Sequence, residues 1–381
     1  MEIENKQNSR IYLASPHMSC YVQEYINEAF RTNLIAPLGT NVDGFEKEMC
    51  DYTGAKNAVA LSSGTAAIHL GLKYLGVGKQ DPVICPSLTF SASANPIMYL
   101  DAEPVFVDCD YTSWNMDPDA LETALERYPG TKAIIGVNLY GQSSDYDAIC
   151  EIASARGIPI LEDAAESLGA TYKGKQTGLL GDIGIYSFNG NKIITTSGGG
   201  MLVAEEKAVA DKIRFWSTQS RENYPYYQHE EIGYNYRMSN ITAGIGRGQL
   251  KVLALRVSQK KHIYEYYKEA FSDIDEIGLM PVAEFGEPNF WLSCILLHED
   301  SRITPNEIID VLEVENIEAR RIWKPMHLQP VFGSYAFISV KAGEPVCEDI
   351  FKRGVCLPSD TKLSGEDLGR IAGIIRKLFG K

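Results

Sequence analysis

The chain predicts an α/β protein: a mostly parallel sheet covered by helices on both faces, followed by a smaller α+β unit. Two observations carry this expectation. From about residue 40 to 250, short apolar runs alternate with segments of helical period. Each run is apolar throughout, not at every second position, and is bounded by Gly, Pro or polar residues. Strands buried on both faces read this way. Beyond about residue 250 the alternation stops and longer helical segments take over.

The elements follow in order. In NVDGFEKEMCDYTG, Phe45, Met49 and Tyr52 recur at helical spacing until Gly54 ends the helix. Seven strand candidates come next: AVAL (58–61), PVIC (82–85), PVFVD (104–108), KAIIGVNL (132–139), IPILED (158–163), GIYSF (184–188) and GGMLV (199–203). The later part reads as a long helix, QLKVLALRVSQKKHIYEYYKEAF, then strand-like WLSCILL, helix-like TPNEIIDVLEVENI and a helical tail. These readings place a large domain at 13–250 and a small C-terminal domain at 251–381, with residues 1–12 free to pack with the latter. A chain of 381 residues is long enough for two such units.

Composition removes several function classes. Hydrophobic residues make up 45% and charged residues 23%, as in ordinary globular proteins. The formal net charge of −14 lacks the basic field that nucleic-acid binding uses, and it repels anionic ligands at long range. A phosphorylated ligand must therefore be held by local donors. The eight cysteines form no C-x-x-C pair, which argues against a zinc site or a disulfide scaffold and for reduced, mostly buried thiols. No metal site is expected. With no apolar signal core in MEIENKQNSR and no membrane-length apolar run, a cytoplasmic protein is expected.

Ligands of open parallel sheets gather beyond the carboxyl ends of the strands, and three segments place polar residues there. In AVALSSGTAAIHLGL a strand runs into Ser62-Ser63-Gly64-Thr65 and a helix starts at once. Exposed amides with a glycine make a phosphate cradle, although Ser or Thr in this position also serves simply as a cap. In IPILEDAAESLGA, Glu162 and Asp163 end a strand and Glu166 follows. A carboxylate there either caps the next segment or pairs with a protonated pyridine nitrogen. In DIGIYSFNGNKIITTSGGGMLV, Lys192 follows a central strand within a Gly-rich loop. A lysine so placed is either ion-paired or set up for Schiff-base chemistry.

With these three in chain order, the sequence resembles the nucleotide-sugar aminotransferases of the DegT/DnrJ/EryC1/StrS family. LSSGTAAIHL, PSLTFSASANPI, EDAAESLGA, SFNGNK and GYNYRMSN carry the likeness, which runs from IYLASPHMS to HLQPVF and CLPS (356–359). The resemblance implies pyridoxal 5′-phosphate as cofactor, the aspartate aminotransferase fold (fold type I) with a seven-stranded central sheet, and a homodimer with shared sites. By the same resemblance, Lys192 is the Schiff-base lysine and proton carrier, Asp163 pairs with the pyridine nitrogen, and Phe90 stacks on the ring. Gly64, Thr65 and Ser187 hold the phosphate, Ser63 and Asn189 are further cofactor contacts, and Asn235 reaches the partner's phosphate. Glu166 is counted with both cofactor and substrate contacts. Asn138, Arg237, Trp323, Lys324 and His327 are the remaining substrate contacts it implies.

This chain departs from many relatives at Glu166 (His or Gln), at Asn138 (His) and at Ser197-Gly198-Gly199-Gly200 (Gly-Glu-Gly-Gly). Glu166, Asn138 and SFNGNKIITT look most like the branch that aminates UDP-4-keto-6-deoxy-N-acetylglucosamine with L-glutamate as donor, feeding bacillosamine-type surface sugars. The competing readings are an aminotransferase for dTDP-linked 3-keto or 4-keto sugars, a sugar dehydratase of the same fold, and a non-catalytic regulator. Lys192 opposes the dehydratase reading, since those enzymes resemble this family but carry His at that position. The Gly244-x-Gly246-x-Gly248 run lacks the spacing and preceding strand of a dinucleotide site.

Overall fold

The structure is a computed structural model that describes residues 9–381. Its strands in chain order begin with β1 Asn57–Leu61, β2 Pro82–Pro86, β3 Glu103–Val107, β4 Ala133–Val137 and β5 Ile160–Asp163. Then come β6 Thr171–Tyr172, β7 Lys175–Gln176, β8 Ile183–Ser187, β9 Gly200–Ala204 and β10 Ile277–Leu279. The last are β11 Gly286–Glu287, β12 Ser293–Leu297, β13 Arg320–Arg321, β14 Phe337–Ile338 and β15 Gly354–Leu357. The helices are α1 Val22–Arg31, α2 Thr40–Thr53, α3 Gly64–Tyr74, α4 Ser91–Tyr99, α5 Pro118–Arg127 and α6 Tyr146–Ser154. The others are α7 Lys207–Ser217, α8 Asn240–Leu250, α9 Leu253–Ala270, α10 Pro305–Val314, α11 Val346–Arg353 and α12 Gly365–Leu378.

The large sheet has the order β1-β9-β8-β5-β4-β2-β3-β14. All seven expected strands are in it, and only β9 runs against the others. The eighth member, β14, is a two-residue piece that pairs parallel to β3. Such a short run carries no periodicity, so nothing in the sequence marks it as a strand. Alternate residues face opposite layers. Val83, Cys85, Ile135 and Leu161 pack with Ile68 and Leu72 of α3, while Ile84, Ile134 and Ile160 pack with Leu121 of α5 and Ile149 of α6. Both faces are covered, so the strands are apolar throughout.

A second sheet, β10-β12-β15-β13, is antiparallel and lies against α9, α10 and α12. The expected long helix is α9, and it starts only after a break at Lys251 and Val252. Of the segment 1–12, residues 1–8 lie outside the described residues. Ile11 pairs with Ile317, and Arg10 with Glu313. The Gly244–Gly248 run lies inside α8. A Cβ on Gly246 would sit 2.6 Å from the Phe45 ring, and one on Gly248 would sit 2.6 Å from the Val22 backbone. These glycines permit close helix packing against α1 and α2.

Candidate active site

The carboxyl ends of β1, β5 and β8 converge on one cavity of about 290 Å³. Its wall contains Ser63, Gly64, Thr65, Phe90, Asp163, Glu166, Ser187, Asn189 and Lys192, which unites every cofactor residue expected from the sequence except Asn235. Strand order explains this. β5 and β8 are hydrogen-bonded neighbours, and β9 returns between β8 and β1, so the four segments share one edge of the sheet.

One end of the cavity is the N-terminus of α3. Ser63 caps it, its Oγ accepting from the Ala66 N–H at 3.0 Å. Cap and anion cradle are compatible here, because the remaining first-turn amides stay free to donate. A Cβ on Gly64 would lie 3.1 Å from Ser187 Cβ, and one on Gly200 would lie 2.3 Å from the Ser63 carbonyl carbon. Backbone and side chain therefore meet closely at this end only because those positions are glycine.

Asp163 is buried at the end of β5. Ser93 Oγ donates to its Oδ2 at 2.7 Å, and the Ala165 N–H to its Oδ1 at 3.1 Å. Burial pushes this carboxyl up, and the Ser93 hydroxyl and Ala165 amide oppose the rise. Neighbouring Glu162 has a different task. It is fully buried and accepts from the Gly178 and Leu180 amides, both at 2.6 Å, which ties β5 to the loop before β8.

Lys192 Nζ lies 3.3 Å from Glu166 Oε1 and 4.0 Å from the centre of the Trp291 ring. The Tyr140 N–H donates to Glu166 Oε2 at 2.8 Å, and Tyr140 holds φ at +51° to aim it. Burial raises the Glu166 carboxyl to about 7, against the opposing pull of the Lys192 ammonium. Trp323 closes the rim, 5.3 Å from Phe90 and 5.0 Å from Tyr140 between ring centres.

Three expected substrate contacts lie outside the cavity wall. Asn138 is fully buried and internally satisfied: Nδ2 donates to Glu162 Oε1 at 2.8 Å and to Ser167 Oγ at 3.0 Å, and Oδ1 accepts from the Ser144 N–H. Its side chain has no exposed surface. Arg237 is turned inward, where it donates to Glu46 and to the Ala60 carbonyl. His327 is stacked on Phe337 at 3.7 Å and held by Ser87 Oγ at 2.6 Å and Glu348 Oε1 at 3.1 Å. Lys324 and Asn235 are exposed and outside the cavity wall.

Ser93, Trp291, Tyr140 and Asn289 were not singled out from the sequence. Ser93 lies within PSLTFSASANPI and could have been found there as a hydroxyl one turn beyond Phe90. Nothing in the local sequence marks Trp291, which arrives from outside the large sheet. Among the described residues no group of three or more His, Cys, Asp or Glu is arranged for a metal, and no helix is long and apolar enough to cross a membrane.

Comparison with known proteins gives consistent matches over nearly the whole chain. The model of the DegT/DnrJ/EryC1/StrS aminotransferase family matches residues 18–376. EpsN of Bacillus subtilis (strain 168), described as a candidate pyridoxal phosphate-dependent aminotransferase, is 51% identical over 98% of this chain and 96% of its own. GDP-perosamine synthase of Caulobacter vibrioides is 38% identical over 97% of this chain and 98% of its own. Among solved structures, the candidate sugar aminotransferase Spr1654 of Streptococcus pneumoniae in its PLP form superposes with a TM-score of 0.88. It is 26% identical and covers 97% of this chain and 98% of its own.

Proposed function

The chain belongs to the DegT/DnrJ/EryC1/StrS aminotransferase family and is a PLP-dependent sugar aminotransferase; from that premise we propose that it aminates the 4-keto carbon of a nucleotide-linked 6-deoxy sugar, with L-glutamate as donor. The proposed substrate is UDP-4-keto-6-deoxy-N-acetylglucosamine and the product is the UDP-4-amino-4,6-dideoxy-N-acetyl sugar of a bacillosamine-type or related surface glycan. The observation that carries the reading is the cavity itself, where the Lys192 amine, the buried Asp163 carboxylate and the α3 N-terminus line one space.

The donor set fits the cofactor. Lys192 would hold it covalently, Asp163 would face its ring nitrogen, and Phe90 would cover one ring face. Ser63, Gly64, Thr65, Ser187 and Asn189 would take its phosphate, at the end where Gly64 and Gly200 leave room for close approach. When bound, it supplies an electron sink for the carbanion beside the transferred nitrogen. Once its amine is free, Lys192 would carry a proton across one face of the sugar carbon, which sets the new stereocentre. Glu166 stands beside that amine, where it can take or return the proton. The Phe90, Trp291 and Trp323 rings line the cavity with apolar surface and keep water from competing.

Trp323 is proposed as a sugar or base contact, and Lys324 next to it as a donor to the diphosphate. Asn235, exposed outside its own cavity, is proposed to complete the cavity of a second copy in a homodimer. The relative named GDP-perosamine synthase makes nucleotide choice the open variable. The test is therefore a panel of UDP-, GDP- and dTDP-linked 3-keto and 4-keto 6-deoxy sugars with glutamate. Turnover of the UDP-linked 4-keto sugar is expected, and turnover of dTDP-linked 3-keto sugars alone would overturn the substrate. Lys192→Ala is expected to lose the visible cofactor band, and a persistent band would remove Lys192 from the chemistry.

A further inference from the structure

We infer that Trp291 is the positioning residue for the Lys192 amine, and that buried Lys260 fixes Trp291 in its turn. The inference rests on the reading of Lys192 as the cofactor lysine. Trp291 lies just before β12, in the antiparallel sheet's segment of the chain, yet its indole forms part of the cavity wall. Its ring centre is 4.0 Å from Lys192 Nζ, and its Nε1–H donates to the Asn191 carbonyl at 2.8 Å. One side chain thus grips both the lysine's ammonium and the backbone directly before it. The Trp291 N–H donates to Asn289 Oδ1 at 2.9 Å, and Asn289 Nδ2 donates to the Glu166 and Leu168 carbonyls at 2.8 and 2.9 Å. The segment 289–291 therefore ties together the two loops that carry the acid and the amine.

Lys260 explains what holds that segment still. It lies inside α9, almost fully buried, and its Nζ donates to the Trp291 carbonyl at 2.9 Å and also to the Ser359 carbonyl. No carboxylate lies within ion-pair distance of it among the described residues, and Asp360 is the charge it senses. A buried ammonium solvated only by carbonyls is costly, and an apolar side chain of similar length would serve packing at least as well. The amine instead fixes two backbone carbonyls from different segments, one of them that of the cavity-lining Trp291. Lysine has a long, flexible stem. With Trp291 over one side of Nζ and Glu166 at another, the amine is confined to the cavity before a cofactor arrives.

The test uses cofactor-free protein, acetic anhydride at one fixed pH, and peptide mass spectrometry to follow each lysine. Exposed Lys47 and Lys207 serve as references, and buried Lys260 reports any opening of the fold. Trp291→Leu removes the ring from the ammonium, and Lys192 acetylation is expected to rise about two- to thirty-fold against the references with Lys260 still protected. Lys260→Met is expected to raise it in the same direction, and Trp291→Phe to fall between wild type and Trp291→Leu. An unchanged Lys192 rate in Trp291→Leu would overturn the inference. If Trp291→Leu opens the fold, Trp291→Phe decides: a Lys192 rate equal to wild type then overturns it. Since no cofactor is present, this result stands apart from the colour of Lys192→Ala, whose failure would sink the functional reading alone.

Discussion

At the scale of single residues, Glu166 makes the sharpest prediction. Its carboxyl is raised by burial to about 7 in the folded chain, whereas an unfolded glutamate titrates near 4.5. Between those values the folded state holds a proton that the unfolded state has lost, so this group makes stability fall as pH rises through the window. The loss is complete above the folded value and is on the order of 3 kcal/mol at most. Glu166→Gln keeps an oxygen for the Tyr140 N–H but has no proton to lose. Denaturant unfolding of the cofactor-free proteins should show the variant gaining on wild type from pH 5 to 8, and parallel pH curves would contradict the shift. Ser93 gives a second prediction. Ser93→Ala removes the 2.7 Å bond to Asp163, which should weaken cofactor retention by about ten-fold or more in equilibrium dialysis. A visible lysine, an acid at a strand end and a Ser-Gly-Thr turn were legible because each is local to one segment. Trp291 was not, because its role depends on a contact with a residue 99 positions away, between 192 and 291. The inward settings of Asn138 and Arg237 were illegible for a related reason: a polar residue near a motif faces inward or outward according to tertiary partners that the motif does not contain.

At the scale of elements, the sequence showed the seven strands because runs covered on both faces are apolar without alternation, and that pattern survives in one dimension. It did not show how the strands are held at the cavity edge. Glu46 of α2 does that work: it accepts from the Ala60 N–H of β1 at 2.7 Å and also receives Arg214 and Arg237. Arg237 in turn donates to the Ala60 carbonyl, so β1, α2 and the segment 234–238 are clasped at one point just before Ser63. Removing one partner of a buried pair leaves the other uncompensated, and Glu46→Ala should cost about 3–5 kcal/mol. Glu46→Leu with Arg237→Met should recover much of that loss, because neither charge is then stranded. Chemical denaturation of Glu46→Leu, Arg237→Met and the double variant forms the cycle. Additive losses would mean that the pair is not coupled and that the clasp is a coincidence of position.

At the scale of the whole molecule, the question is how a chain with a net charge of −14 would meet the second copy proposed above. Like charge opposes association at long range, so a homodimer must be held by apolar surface and must tighten as salt screens the repulsion. Such surface exists. Phe30 is 63% exposed and Leu38 62%, with Ile35 between them, and Tyr226, Tyr227 and Ile232 stand exposed in the segment that leads to Asn235. Singly exposed apolar residues need no explanation, whereas several close together in sequence are candidates for a cover. If a second copy is that cover, Asn235 is carried toward the partner's cavity and monomer and dimer must differ in how well they hold the cofactor. Two variants separate the contributions. Phe30→Asp with Leu38→Asp should shift the sedimentation profile from dimer to monomer and release the cofactor on dialysis. Asn235→Ala should leave the profile unchanged and loosen the cofactor by about ten-fold, the cost of one charge-assisted hydrogen bond. Wild type should sediment as a dimer more completely at high salt than at low. A wild-type monomer at every salt concentration, holding its cofactor as tightly as the variants do, would mean that each cavity is complete within one chain and that Asn235 has no part in it.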